Sequence, residues 1–270
     1  MGKQLLTNLR CHLLFFSRNG LLLAIVVVLA IHAGTGLFFS TLYESHTNRF
    51  YTIQEVTGMI NGYSFVLVAA LGILTIFSHL RDRCLKMVFT RPCPPEVWIF
   101  SLLLAIILVA AGLALIALLT GTTLFLVWKI PFQSGLVFVC MNNFLRSVTL
   151  AATLTFMSLL VHPVLAIFFV AAFQERTLFF FWMTTEAALR NVSTPREAFF
   201  SALGRNLARF FYYLVPIQEP FQEVWAEVSR SWVVLARDWL RLLLLVGYLM
   251  VFCSFLGILC AELLKRKRLV

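Results

Sequence analysis

Long apolar stretches separated by short polar ones dominate the chain. Nearly continuous apolar runs cover residues 21–39, 56–78, 97–127, 135–161, 163–183 and 239–264. A helix needs about 20 such residues to cross the hydrocarbon core of a bilayer. Six runs of that order predict six transmembrane helices. The every-second-residue alternation of a membrane barrel is absent. The pattern therefore predicts an all-α, polytopic membrane protein with one transmembrane domain over residues 1–270. The run at 97–127 exceeds the minimum, which predicts a tilted span or one that continues beyond the bilayer.

The polar stretches carry patterns of their own. Residues 3–18 hold Lys3, Arg10 and Arg18 and no acid, with Leu5, Leu6, Leu9, Leu13 and Phe16 at helical spacing. That predicts an interfacial helix within residues 1–20, lying on the cytoplasmic surface. In residues 79–96, Arg81, Arg83, Lys86 and Arg91 stand against Asp82 and Glu96. Residues 79–90 suit a short helix whose apolar surface comes from Leu80, Cys84, Leu85, Met87, Val88 and Phe89. Pro92, Pro94 and Pro95 end it, because proline has no backbone N–H to continue the ladder. Such a helix either lies flat on anionic headgroups or forms a knob that a water-soluble partner grips. Residues 184–238 are interrupted by Pro195, Pro216 and Pro220, and segments 197–213 and 221–238 predict two amphipathic helices before the last span.

Composition sharpens the class. The chain is 61% hydrophobic and 13% charged, with a mean hydropathy of +0.91. That excludes an ordinary soluble domain. The net charge of +10 lies mostly beside the apolar runs, where it sets topology and meets anionic membrane lipids; no nucleic-acid partner is expected. Residues 1–20 carry +3, residues 79–96 carry +2 and the tail 262–270 carries +3, whereas 40–55 carry −1 and 184–238 are neutral. Six spans put both termini on one side, and the positive-inside rule puts those termini and segment 79–96 in the cytoplasm. The first apolar run is too long for a signal-peptide core, and AIHAGTG is a poor cleavage site, so it reads as a retained span.

Candidate chemistry is sparse. The cysteines Cys11, Cys84, Cys93, Cys140, Cys253 and Cys260 show no CxxC spacing and read as reduced, small apolar residues. His32 lies in a span without a carboxylate, which favours helix packing or an interface position. Gly58 and Gly62 form a GxxxG that permits close helix approach. In the fourth run, Asn142, Asn143 and Arg146 either sit at the outer interface, with Arg146 snorkelling, or face a polar translocation path. In the fifth, Gln174, Glu175 and Arg176 are interfacial if the span ends near Phe173, and intramembrane if it runs to Met183. His162 and Pro163 mark a tight turn between these two runs. There is no GxSxG, no HExxH and no paired-carboxylate constellation, so no catalytic residue and no metal site is assigned. Nothing resembles GxxxxGK[ST], so the chain is not expected to bind ATP by that route.

The order of parts resembles the permease subunit of a type-2 ABC exporter. The sequence LRDRCLKMVFTRPCPPEVW fits that family's charged segment, leucine-containing turn and proline before the third span. FFYYLVPIQEPF resembles an element before the last span in the branch that includes nitrous-oxide-reductase maturation permeases, and the KRKR ending fits too. A Glu-x-Gly-Thr-like run common in the family before the leucine turn is missing. The resemblance implies a bacterial inner-membrane protein working as a homodimer or with a sister permease. It implies two cytoplasmic ATPase subunits as partners, which would hold the ATP and magnesium; this chain would carry no cofactor and would not be an enzyme by itself. Residues 79–90 would be the coupling helix, with Arg81, Asp82, Arg83, Lys86, Met87 and Arg91 at or near the ATPase groove. Without the resemblance, the competing reading is a secondary transporter that uses Gln174, Glu175 and Arg176.

Overall fold

A computed structural model of the chain describes residues 2–18, 46–81, 94–172, 175–190, 195–214 and 232–268, with isolated positions at 20, 27, 30, 31, 34 and 228. Among the described residues there are eight helices and no strand: α1 (Gly2–Arg18), α2 (His46–Arg81), α3 (Pro95–Val127), α4 (Gly135–Leu160), α5 (Pro163–Ala172), α6 (Glu175–Arg190), α7 (Pro195–Leu214) and α8 (Ala236–Arg268). Four stretches are long and apolar enough to cross a membrane: Arg49–Ser78, Pro95–Val127, Gly135–Leu160 and Ala236–Arg266. They match the second, third, fourth and last apolar runs, and they mark the chain as a helical membrane protein. The first run, 21–39, lies outside the described residues except at isolated positions.

Local chemistry sets the helix ends. Pro94 and Pro95 start α3, where a missing N–H costs nothing, and Glu96 adds a carboxylate to the first turn. Pro163 starts α5 in the same way. At the start of α8 the Leu235 N–H donates to Asp238 Oδ2 at 2.9 Å, so the carboxylate caps its own helix. Inside the spans, hydroxyls bond back to the helix: Ser64 to the Ile60 carbonyl at 2.6 Å, Thr75 to Leu71 at 2.7 Å and Thr155 to Ala151 at 2.8 Å. Lipid offers no hydrogen-bond partner, so these groups are satisfied within the chain.

Helix α4 is the centre of the bundle. It packs against α2, α3, α5 and α8, and 72% of its most apolar window is buried, against 28% for α8. Lipid tails are as apolar as leucine, so close packing rather than water exclusion holds such helices together. Small residues mark close approaches between these helices. A methyl on Gly72 of α2 would lie 2.9 Å from the Ala151 carbonyl oxygen of α4, and one on Gly257 of α8 would lie 3.0 Å from the Phe100 ring of α3.

One end of the bundle is basic. There α1 lays Phe16 and His12 onto the start of α3, and His12 meets Trp98 edge-on at 5.5 Å. The end of α8 reaches the same place, where Lys265 Nζ pairs with Glu96 Oε1 at 2.5 Å. Both partners are partly exposed, so Glu96→Ala is expected to change stability by less than about 1 kcal/mol; thermal unfolding of the purified variant checks this. At the opposite end Trp232 meets Phe50 at 5.7 Å and Phe125 at 6.0 Å, joining the start of α2 and the end of α3 to the approach to α8.

Two expectations differ from the structure, and the fifth run is described only in part. In the fifth run, α5 covers residues up to Ala172 and α6 starts at Glu175, and residues 173 and 174 lie outside the described residues. Helix α6 pairs with α7, through Arg205–Glu186 at 3.6 Å and Arg209 over the Trp182 ring at 5.7 Å. The predicted helix at 197–213 lies within α7, but the end of the one at 221–238 is corrected: residues 232–235 are not helical and Trp232 has φ 52°. Finally, Gly58 and Gly62 mediate no close approach among the described residues, because a methyl on either would meet nothing within 4 Å. The Gly72 side of α2 faces α4, whereas the Gly62 side is exposed.

Candidate functional site

Two polar residues of the fourth run, Asn143 and Arg146, come together with α2. Asn61 is 2% exposed on α2, and Asn142 is 2% exposed on α4. The Asn143 side-chain amide donates to the Asn61 backbone carbonyl at 3.0 Å and to Asn61 Oδ1 at 3.4 Å. Asn61 in turn donates to Cys140 Sγ at 3.9 Å. One turn further along both helices, the Arg146 guanidinium lies over the Phe65 ring, 4.6 Å from its centroid. Beside the seam, Ser147 Oγ donates within α4 to the Asn143 carbonyl at 2.7 Å.

Helical spacing explains the arrangement. Cys140, Asn143, Arg146 and Ser147 share one side of α4 because residues three and four apart are neighbours on a helix. Asn61 and Phe65 repeat the spacing on α2. The result is a two-rung contact, amide on amide and cation on ring. An interhelical side-chain hydrogen bond of this kind contributes about 1 kcal/mol. Asn143→Leu is therefore expected to lower stability by about 1 kcal/mol; unfolding of the variant in detergent measures it, and a larger loss with Asn61→Leu is expected because Asn61 is the more buried partner.

The electrostatics centre on Arg146. It is the twelfth residue of the 26 in α4, near the middle of the helix rather than at its outer end. No other charged residue occupies the middle third of any of the four spans. A charge at that depth costs several kcal/mol on an isolated helix, so such residues turn inward or toward a cavity. The aromatic face of Phe65 offsets part of this cost through its quadrupole.

The remaining candidates are placed differently. Arg81 is the last residue of α2, while Asp82, Arg83, Lys86, Met87 and Arg91 lie outside the described residues. Glu175 and Arg176 open α6, and Gln174 lies outside the described residues. No group of three or more metal-ligating side chains occurs among the described residues. The free thiols of Cys140 and Cys260 are buried, each within an apolar cluster. Sequence reasoning missed Asn61 and Phe65. The signal was there: a lone amide in the middle of GMINGYS needs a partner inside the membrane.

No protein-family model matches the chain, and no curated protein is significantly similar to it.

Proposed function

We propose that the chain is the membrane-spanning permease subunit of an ATP-driven ABC exporter in the inner membrane of a bacterium. It works with a second permease copy and with separate cytoplasmic ATPase subunits that bind ATP and magnesium. The observation that carries the reading is the basic end of the bundle, where α1, the start of α3 and the end of α8 converge through His12–Trp98 and Lys265–Glu96. The chain between α2 and α3 runs from Arg81 to Pro95, so the segment that resembles a coupling helix joins two spans beside that end. Positive charge there matches a cytoplasmic face.

In this reading the permease has no nucleotide site and receives work through residues 79–90. Closure of the ATPase dimer moves that segment as a body, and the bundle shifts between inward- and outward-facing arrangements. The α2–α4 seam, with Asn143 and Arg146, lies on the path, and Asn142 beside it on α4 lines the same route.

A detergent pull-down of the tagged chain tests the class. Recovery of a soluble ATPase in stoichiometric amount is the expected result. A chain that purifies alone, with no nucleotide-binding partner, overturns the proposal. It then favours a secondary transporter, a reading supported by the lone charge of Arg146 in mid-span and the polar triplet at Gln174, Glu175 and Arg176.

A further inference from the structure

We propose that α6 and α7 are immersed in the lipid of the membrane as a hairpin, with acyl chains covering both of its outer faces. The inference concerns a segment that the transport reading leaves unused, and it stands whether or not an ATPase binds.

The pair is built inside out for water. Glu186 meets Arg205 and Trp182 meets Arg209, so the two helices run antiparallel. Small residues line their contact. Ala208 is buried, and a methyl on Gly204 would lie 3.4 Å from Thr185 Cγ2. Ser201 and Ala202 are half-buried beside them. The large apolar residues lie outside. Phe200, Leu203 and Leu207 follow helical spacing along α7 and are 67%, 46% and 49% exposed. On α6, Phe180 and Phe181 are 69% and 57% exposed. A hairpin in water would turn those phenylalanines toward the partner helix and the arginines outward. Small residues at the contact with bulky apolar ones outside is how helices pack in lipid.

The geometry points to lipid rather than a protein as the cover. On α7, residues 200, 203 and 207 lie on the side away from 198, 202, 205 and 209. On α6, residue 180 lies opposite Leu178 and Trp182, which face α7. The two apolar faces therefore point away from each other. A second copy of the chain docks on one side, whereas acyl chains surround both. A hairpin lying flat on the membrane surface would likewise leave one face in water.

Length, charge and attachment agree. The 20 residues of α7 span about 30 Å, the thickness of the hydrocarbon core. Arg190, Arg196 and Glu197 lie at the end where the chain passes from α6 to α7, within reach of headgroups and water. Farther along, Glu186 and Arg205 face each other, and hydrocarbon tolerates charges that meet. Asn206, exposed on the flank of α7, is uncharged. Finally, α5 packs on α4, and α6 starts three residues after α5 ends, a reach of at most about 11 Å. The hairpin is thus tethered beside the bundle.

The test places a photoreactive benzophenone amino acid at Phe180 or Phe200, on the two opposite faces, in the full chain reconstituted into phospholipid vesicles. After illumination the mass of the chain is read. Leu244, exposed on the span α8, is the reference position. Phospholipid adducts are expected at both positions, in yield similar to that at Leu244. With Leu203→Asp added, the adduct at Phe200 is expected to fall at least about tenfold, because hydrocarbon rejects a carboxylate. The adduct at Leu244, measured in Leu203→Asp as well, shows that the bundle is still in place.

Adducts at Leu244 but at neither Phe180 nor Phe200 put the hairpin in water and overturn the proposal. Adducts on one face alone make it a surface-lying hairpin, and chain-to-chain products at Phe180 or Phe200 make it a contact between copies; either result overturns it. An adduct at Phe200 undiminished by Leu203→Asp overturns it too. None of these outcomes depends on recovering an ATPase, so failure of the hairpin and failure of the ABC reading are separate results.

Discussion

Gly135→Val is expected to disrupt the end of the bundle where α8 begins. Gly135 is the first residue of α4, and a Cβ there would overlap the Trp232 carbonyl oxygen, Cβ and Cα. Two of these atoms belong to backbone, so a rotamer change cannot relieve the overlap. Nor can Trp232 shift easily. Its φ of 52° is a left-handed conformation that bulky residues rarely adopt, and its ring is held between Phe50 and Phe125. Overpacking commonly costs 1–3 kcal/mol, and here the expected loss is at least about 3 kcal/mol. Gly58→Ala and Gly62→Ala supply the contrast. Neither added methyl meets a neighbour, so each should be neutral or gain up to about 1 kcal/mol from better helix propensity. Thermal unfolding in detergent separates the three. Equal midpoints for Gly135→Val and wild type would remove the account given for Trp232.

The other large effect concerns transport. Arg83→Glu reverses a charge in the segment proposed to dock into the ATPase. Like charges or lost ion pairs at a docking surface cost several kcal/mol when desolvated. The spans are untouched, so the protein should fold and insert as before. ATP hydrolysis by the reconstituted complex is expected to lose its dependence on cargo, and transport to fall at least about tenfold. Unfolding and transport are measured on the same preparation. Normal coupled transport with Arg83→Glu would sink the assignment of residues 79–90 to coupling.

The sequence carried some features better than others. The spans at Arg49–Ser78, Pro95–Val127, Gly135–Leu160 and Ala236–Arg266 were legible because lipid imposes one rule on every residue, that an exposed side chain be apolar and every backbone group be bonded within the helix. The helix at residues 2–18 was legible from its leucine spacing and its bases. The GxxxG at Gly58 and Gly62 misled, because the motif states that a helix can be approached closely and not which partner approaches. Gly72, outside any motif, faces the Ala151 carbonyl instead. The α6–α7 pair was half legible. The helical spacing of α7 was plain, whereas α6 was hidden inside an apolar run that reads equally well as a span.

The candidate site divides along the same line. Asn142, Asn143 and Arg146 stood out because polar side chains are rare in such a run. Their depth and partner did not, since one helix says nothing of what faces it.

The sequence alone determined that this is a helical membrane protein, where most of its spans fall, and that its bases gather at the termini and before the third span. Those are one-dimensional properties, set by the hydrophobicity and charge of neighbours along the chain. Tertiary structure alone decided that α4 is the centre, that Asn61 and Phe65 answer Asn143 and Arg146, and that Gly135, unlike Gly58, admits no side chain. Such pairings depend on the relative rotation and offset of two helices. Packing against all neighbours at once fixes those, and no local pattern encodes them.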